Sequence, residues 1–141
     1  MKRESEISQQ QSYWMWFNNE FCTKNKSPRL IIHSVVNGFG FNIPTSVPKQ
    51  FHAIIFKSVA AAVKLLEISG MTKGISDMMI HGVNGRCLWV ECKTSTGNQR
   101  KEQIEMQLRV EKLGGRYIIV RSLIDFKFQI NINLPWLLGE E

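Results

Sequence analysis

Cysteine is scarce in this chain, and what there is does not pair by spacing: Cys22, Cys87 and Cys92 are odd in number and form no C-x-x-C. This excludes a disulfide framework and a cysteine-built zinc site, and it leads us to expect a reducing, cytoplasmic setting. Long apolar runs are also missing. The longest, Tyr13 to Phe17 and Val59 to Val63, have five residues each, against the ~20 that a membrane span needs. No membrane association is expected. Met1, Lys2 and Arg3 open like a signal peptide, but Glu4, Glu6 and a Gln-rich stretch stand where its apolar segment belongs. No G-x-x-x-x-G-K-[ST] run occurs, so no nucleotide cofactor is expected, and His33, His52 and His81 lack the spacing of zinc ligands.

What is present is a 141-residue chain with a formal charge of +6 and 43% hydrophobic residues. The length suits one domain, residues 1–141, able to bury about two thirds of its unfolded surface. Basic residues crowd the second half: Lys93, Arg100, Lys101, Arg109, Lys112, Arg116 and Arg121, interleaved with Glu91, Glu102, Glu105 and Glu111. A polyanion is one partner that this suits; a solvated helix face with i,i+4 pairs such as Glu105–Arg109 is the other reading.

Periodicity divides the chain into elements. A helix is predicted from about Ser5 to Cys22, apolar all round at Tyr13-Trp14-Met15-Trp16-Phe17 and hence buried on two faces. A β-rich run, Leu30 to Val36, follows Pro28 and ends at the turn signal Asn37-Gly38. Lys49 to Ser69 is helical in pattern and is closed by Gly70. Ile75 to His81 and Cys87 to Lys93 read as a hairpin, Gln99 to Leu113 as a helix stopped by Gly114-Gly115, and Tyr117 to Arg121 as a short buried strand. Ser122 with Asp125 marks the start of a last helix. The order αβαββαβα describes an α/β (α+β) domain with a central mixed sheet flanked by helices.

Asp77, Glu91 and Lys93 are the residues whose chemistry stands out. Glu91 and Lys93, two apart in a strand, share a face. Whether Asp77 joins them depends on register. A two-residue loop, Asn84-Gly85, sends Asp77 to the face of Leu88, Val90 and Cys92, a carboxylate in the core. A three-residue loop, Val83-Asn84-Gly85, sets Asp77 opposite Glu91 and collects Met78, Ile80, Leu88, Val90 and Cys92 on one apolar face. The second is expected, with Gly85 as the left-handed residue of a type I turn plus bulge. Two facing carboxylates suit Mg²⁺, with Mn²⁺ as a substitute, and the lysine suits the orienting of water and the neutralising of phosphate charge. A plain edge-strand salt bridge is the competing explanation of such a triplet.

Gly74-Ile75-Ser76-Asp77, Leu88-Trp89-Val90-Glu91-Cys92-Lys93-Thr94, Gly97, Gln103, Leu113 and Gly114-Gly115 together resemble the virus-type replication-repair nuclease (VRR-NUC) family. That family belongs to the PD-(D/E)xK, restriction-endonuclease-like superfamily. Pro28 to Gly38, ending His33-Ser34-Val35-Val36-Asn37-Gly38, is similar to the family's strand ending in Pro-Asn-Gly, and Lys64 to Gly74 to its lysine helix and glycine pair. Ser76 and Val36 stand where the family has proline, and neither is a ligand position.

The resemblance implies a restriction-endonuclease-like core and a Mg²⁺-dependent endodeoxyribonuclease acting on DNA in replication, recombination or repair. Holliday-junction or other branched DNA is the implied substrate, and a bacterial or phage-infected cell the setting. Asp77 and Glu91 would hold the metal, Lys93 would act on water, and Gln103 would lie within reach of metal or phosphate. The family's first-helix acid maps to Glu6, with Glu20 and Glu4 as alternatives. Lys73, Arg100 and Lys101 are candidate DNA contacts. A symmetric junction calls for two sites and thus a homodimer, for which the aromatic first helix offers a surface. A non-catalytic nucleic-acid-binding module and a small restriction-type endonuclease are the alternatives.

Overall fold

Alternation in two neighbouring runs builds the centre of the fold. A computed structural model describes residues 5–23, 30–35, 43–69 and 74–140; Glu4, Pro28, Val36, Asn37-Gly38, Gly70 and Lys73, all named above, lie outside the described residues. Among the described residues, four α-helices and four strands follow in the order α1 (Glu6–Phe17), β1 (Ile31–Ser34), α2 (His52–Ile68), β2 (Met78–His81), β3 (Cys87–Cys92), α3 (Lys101–Lys112), β4 (Arg116–Val120) and α4 (Leu123–Leu138). The chain divides into two compact units, Met1–Val35 with Gly74–Glu141, and Val36–Lys73. Among the described residues, no helix is long and apolar enough to cross a membrane.

In the second unit, a single 3₁₀ turn, Lys49–Phe51, leads into α2, as the helical spacing predicted. His52 fastens the entry, its Nε2 lying 3.0 Å from the Val47 carbonyl.

The first unit holds a four-stranded mixed sheet in the order β1-β2-β3-β4. The first three strands are antiparallel, and β4 runs parallel to β3. Met78 pairs with Val90 and His81 with Cys87, the register expected of the three-residue loop Val83-Asn84-Gly85. The apolar face drives it: Met78, Ile80, Leu88, Val90, Cys92 and Val120 are buried with Tyr13 and Phe17 of α1 and Phe126, Ile130 and Leu137 of α4. Ser122 caps α4 by accepting from the Asp125 N–H at 3.1 Å.

The hairpin turn differs from the expected type. Asn84 as well as Gly85 is left-handed, with φ of 55° and 73°, and the Arg86 N–H donates to the Val83 carbonyl at 3.1 Å. This is the Asn-Gly pairing that a tight mirror-image turn favours. The Gly82 N–H also donates to the Arg86 carbonyl, at 2.8 Å, so Arg86 faces both Gly82 and Val83. One extra residue on the first strand, a bulge, restores the three-residue register.

The aromatic run of α1 is covered on one side. Tyr13 and Phe17 are fully buried and Trp16 packs edge-on against Phe21 and Phe126, but Trp14 and Met15 are exposed. The helix widens into π-helical turns over Asn18–Thr23.

Candidate active site

The open end of the β2–β3 hairpin gathers the polar residues. Asp77 sits one position before β2, and the register carried on from Met78 and Val90 sets it opposite Glu91. It is half-buried, and its Oδ2 accepts from the Cys92 N–H at 2.7 Å, so main chain of the neighbouring strand fixes the carboxylate. From α1, the Gln10 amide donates to the Asp77 carbonyl at 2.9 Å. Ser76, at the family's proline position, is buried and donates to the Met78 carbonyl at 2.9 Å, bracing the same turn from inside.

Glu91 and Lys93 lie on the face opposite the apolar one, yet both are buried, with 0% and 5% of their surface exposed. The reason is α3. Its Gln103 reaches down onto the sheet and donates to Glu91 Oε1, and Gln103 is aimed there because its own Oε1 accepts from the Arg100 N–H at 2.8 Å. Lys93 Nζ pairs with the same Glu91 oxygen at 2.6 Å. The second oxygen, Oε2, accepts from the Tyr117 hydroxyl on β4 at 3.1 Å.

Burial, and after it the charge of Asp77, pushes the Glu91 carboxyl above its ordinary value, while the hydrogen bond and charge of Lys93 pull it back. Burial and the Glu91 charge push the Tyr117 hydroxyl up, so it stays a donor. Two acids close enough for one to raise the other form a place where a cation lowers the energy.

Among the described residues, the first-helix acid that reaches this end is Glu6. Its Oε1 accepts from the Thr94 N–H at 3.4 Å, immediately after Lys93, and its charge contributes to raising the buried Cys92 thiol, behind burial, Asp77 and Glu91. Glu20 lies beyond the other end of α1, in the π-helical turns. Arg121, which the sequence suggested as surface charge, instead organises the loop after Lys93. Its Nη1 donates to the Thr94 and Gly97 carbonyls, each at 2.7 Å. Gly97 fits closely there: a Cβ would come within 3.0 Å of Thr94 Oγ1, so that hydroxyl would have to give way. Gly74 is needed for a similar reason: it has a φ of +78°, and a Cβ would overlap the Glu102 carbonyl at the start of α3.

Arg100 and Lys101, the candidate DNA contacts within the described residues, stand exposed at the start of α3, beside Gln103. Lys101 is 4.0 Å from Glu105, a solvent-screened pair. A groove of about 520 Å³ flanks the Asp77 side, lined by Ile7, Gln10, Gln11, Trp14, Met15 and Ser34.

Among the described residues, no three His, Cys, Asp or Glu converge as a metal cage. The donor set is two carboxylates, a half-buried Asp77 and a fully buried Glu91, and in number and kind it suits Mg²⁺, an ion that takes one or two carboxylates and completes its shell with water and phosphate oxygens.

Tyr117 and Arg121 are the site residues that the sequence did not single out. Their signal was present but indirect. Tyr117 occupies an alternating position in a strand that pairs Trp89 with Tyr117 and Glu91 with Ile119, so it lies on the Glu91 face only once β4 is known to lie parallel beside β3. No family model matches this chain, and neither a curated protein nor a solved structure matches it. The likeness to the VRR-NUC family rests on the residues alone.

Proposed function

We propose that this chain is a Mg²⁺-dependent DNA endonuclease of the VRR-NUC type, with restriction-endonuclease-like core topology, hydrolysing phosphodiester bonds in branched or junction DNA. The observation that carries the reading is the cluster at the hairpin's open end, where Asp77, Glu91 and Lys93 share a site with Gln103 and Glu6. Asp77 and Glu91 would hold the metal, which supplies positive charge to the scissile phosphate and to water. Lys93 brings an ammonium to the same point, suited to holding an attacking water and to offsetting charge as it builds on phosphate oxygens. Gln103 holds Glu91 in place, and Glu6 with Arg121 shapes the loop that follows Lys93. Arg100 and Lys101 offer phosphate contacts at the rim. A replication, recombination or repair setting in a bacterial or phage-infected cell follows from the resemblance.

The 2.6 Å ion pair favours a second reading, in which Glu91 and Lys93 are a buried structural pair and the module binds nucleic acid without cutting it. A cleavage assay on linear duplex, flap and four-way junction DNA, with Mg²⁺ or with EDTA, separates the two. The nuclease reading expects Mg²⁺-dependent nicking that Asp77→Asn abolishes. Binding without cleavage on every substrate supports the second reading.

A further inference from the structure

The core takes Tyr13, Trp16 and Phe17 of α1 but not Trp14. Tyr13 stacks on Phe126 at 4.8 Å, Trp16 packs edge-on against Phe21 and Phe126, and Phe17 is fully buried. Trp14 keeps 39% of its surface and faces the groove that Ile7, Gln10, Gln11 and Met15 line with it, closed by Ser34 of β1. Ile7, Gln11 and Trp14 recur at helical spacing, so one stripe of α1 forms the wall.

Among the described residues, no charged side chain lines this groove, so it offers nothing to a phosphate. An indole face, a thioether, two amides and a hydroxyl suit a flat neutral ring with hydrogen-bonding edges. The groove also adjoins the candidate site, because the Gln10 amide on its wall donates to the Asp77 carbonyl at 2.9 Å. Trp14 stands one helical turn beyond Gln10, about 6 Å along the axis, or roughly two stacked nucleotides. We propose that the groove is a base-binding site, in which an unpaired nucleobase of the DNA strand at Asp77 stacks on Trp14 and meets Gln11 and Ser34 with its edge.

The proposal rests on the nucleic-acid part of the reading above and not on cleavage. A paired base must leave its stack to enter the groove, whereas an unpaired one at a flap or branch does so at the least cost. The groove thereby favours DNA with an unpaired strand over continuous duplex.

The test measures binding in EDTA, where no metal-dependent cutting occurs, of linear duplex and flap DNA to wild type, Trp14→Ala and Trp14→Phe over a salt series. Trp14→Ala weakens flap binding by about tenfold and leaves duplex binding unchanged. The slope of log K against log salt stays the same, since stacking releases no counterions. Trp14→Phe keeps most of the flap affinity. Equal loss on both DNAs, or no loss on either, overturns the proposal. So does a Trp14→Ala protein that sediments as a monomer where wild type is a dimer and still prefers flaps, because the groove then holds a second copy of the chain. Should Trp14→Ala not fold, wild type decides: a fluorescent purine analogue at the unpaired position must be quenched on binding, and undiminished emission overturns the proposal. A wild type that binds no DNA overturns the nuclease reading and this proposal together. One that cleaves, with an indifferent Trp14→Ala, overturns only the proposal; flap binding that needs Trp14 in a protein that never cleaves upholds the proposal and overturns the nuclease reading.

Discussion

The two ends of the β2–β3 hairpin are built on opposite principles. At the turn end, contacts are set by shape. Gly82 lies so close to α4 that a Cβ would overlap the Leu137 carbonyl, Arg86 donates to the Trp136 carbonyl, and the Arg86 and Arg116 guanidinium groups lie 5.7 and 4.6 Å from the Trp136 ring centre. At the open end, contacts are set by charge: a buried acid, a second acid that raises it, and a lysine and two neutral donors that hold it. Shape complementarity leaves one arrangement, whereas a charged cluster can exchange partners when a cation or phosphate arrives. The sheet is thus closely packed at one end and holds a buried charged cluster at the other.

The largest expected effect comes from removing the lysine. Lys93→Ala lowers cleavage by about a hundredfold or more, since a group that offsets transition-state charge is lost. Because Glu91 and Lys93 are buried, the same change destabilises the metal-free protein by on the order of 3 kcal/mol, the cost of stranding one member of a buried pair. Mg²⁺ restores part of that loss. The measurements are cleavage rates and urea unfolding with and without Mg²⁺; wild-type stability without metal would refute the buried-pair account.

At the turn end the comparison sharpens within three residues. Gly82→Ala forces backbone apart and lowers stability by about 2 kcal/mol, as overpacking does. Gly85→Ala meets nothing within 4 Å, and only its φ of +73° resists the change, so the loss is about 1 kcal/mol. Urea unfolding of both variants checks the order. Cleavage by the folded fraction is unaffected in either.

A smaller effect is the pH dependence of metal-free stability. The folded Glu91 carboxyl sits above its ordinary value of 4.5, so the folded state holds this proton to a higher pH than the unfolded chain does. Its contribution is therefore fully present below 4.5 and is lost as pH rises through the raised folded value. Thermal melts of wild type and Glu91→Gln from pH 4 upward should diverge in that direction, with the glutamine variant flatter. Parallel profiles would contradict it.

The mildest change is at the rim. Neutralising Arg100 and Lys101 at the open end reduces the slope of log K against log salt for DNA binding by about one for each phosphate left without its cation. Neutralising Lys112, at the far end of α3, leaves it unchanged. Equal effects at both ends would mean that charge, and not place, attracts the DNA.

Much of this was legible in the sequence where a single parity decided it. The run from Met78 to Cys92 permits one register that keeps Asp77 out of the core, and the observed pairing of Met78 with Val90 follows that register. The turn type was not legible, because Asn84 and Gly85 both accept left-handed backbone and the sequence does not say which residue bulges. Nor was the burial of Glu91 and Lys93. A strand's alternation reports which residues share a face, not whether a distant helix covers it, and here Gln103 of α3 covers part of it. The exposed Trp14 and Met15 illustrate the same gap, since an aromatic run marks apolar area without naming the side that is covered.

The most direct test of the open end as a metal centre is calorimetric titration of Mg²⁺ and Mn²⁺ into the metal-free wild type and Asp77→Asn. One ion should bind the wild type, and affinity should fall sharply in the variant while the fold persists. The absence of divalent binding to the wild type, or equal binding to both proteins, would contradict the account and leave Glu91 and Lys93 as a structural pair.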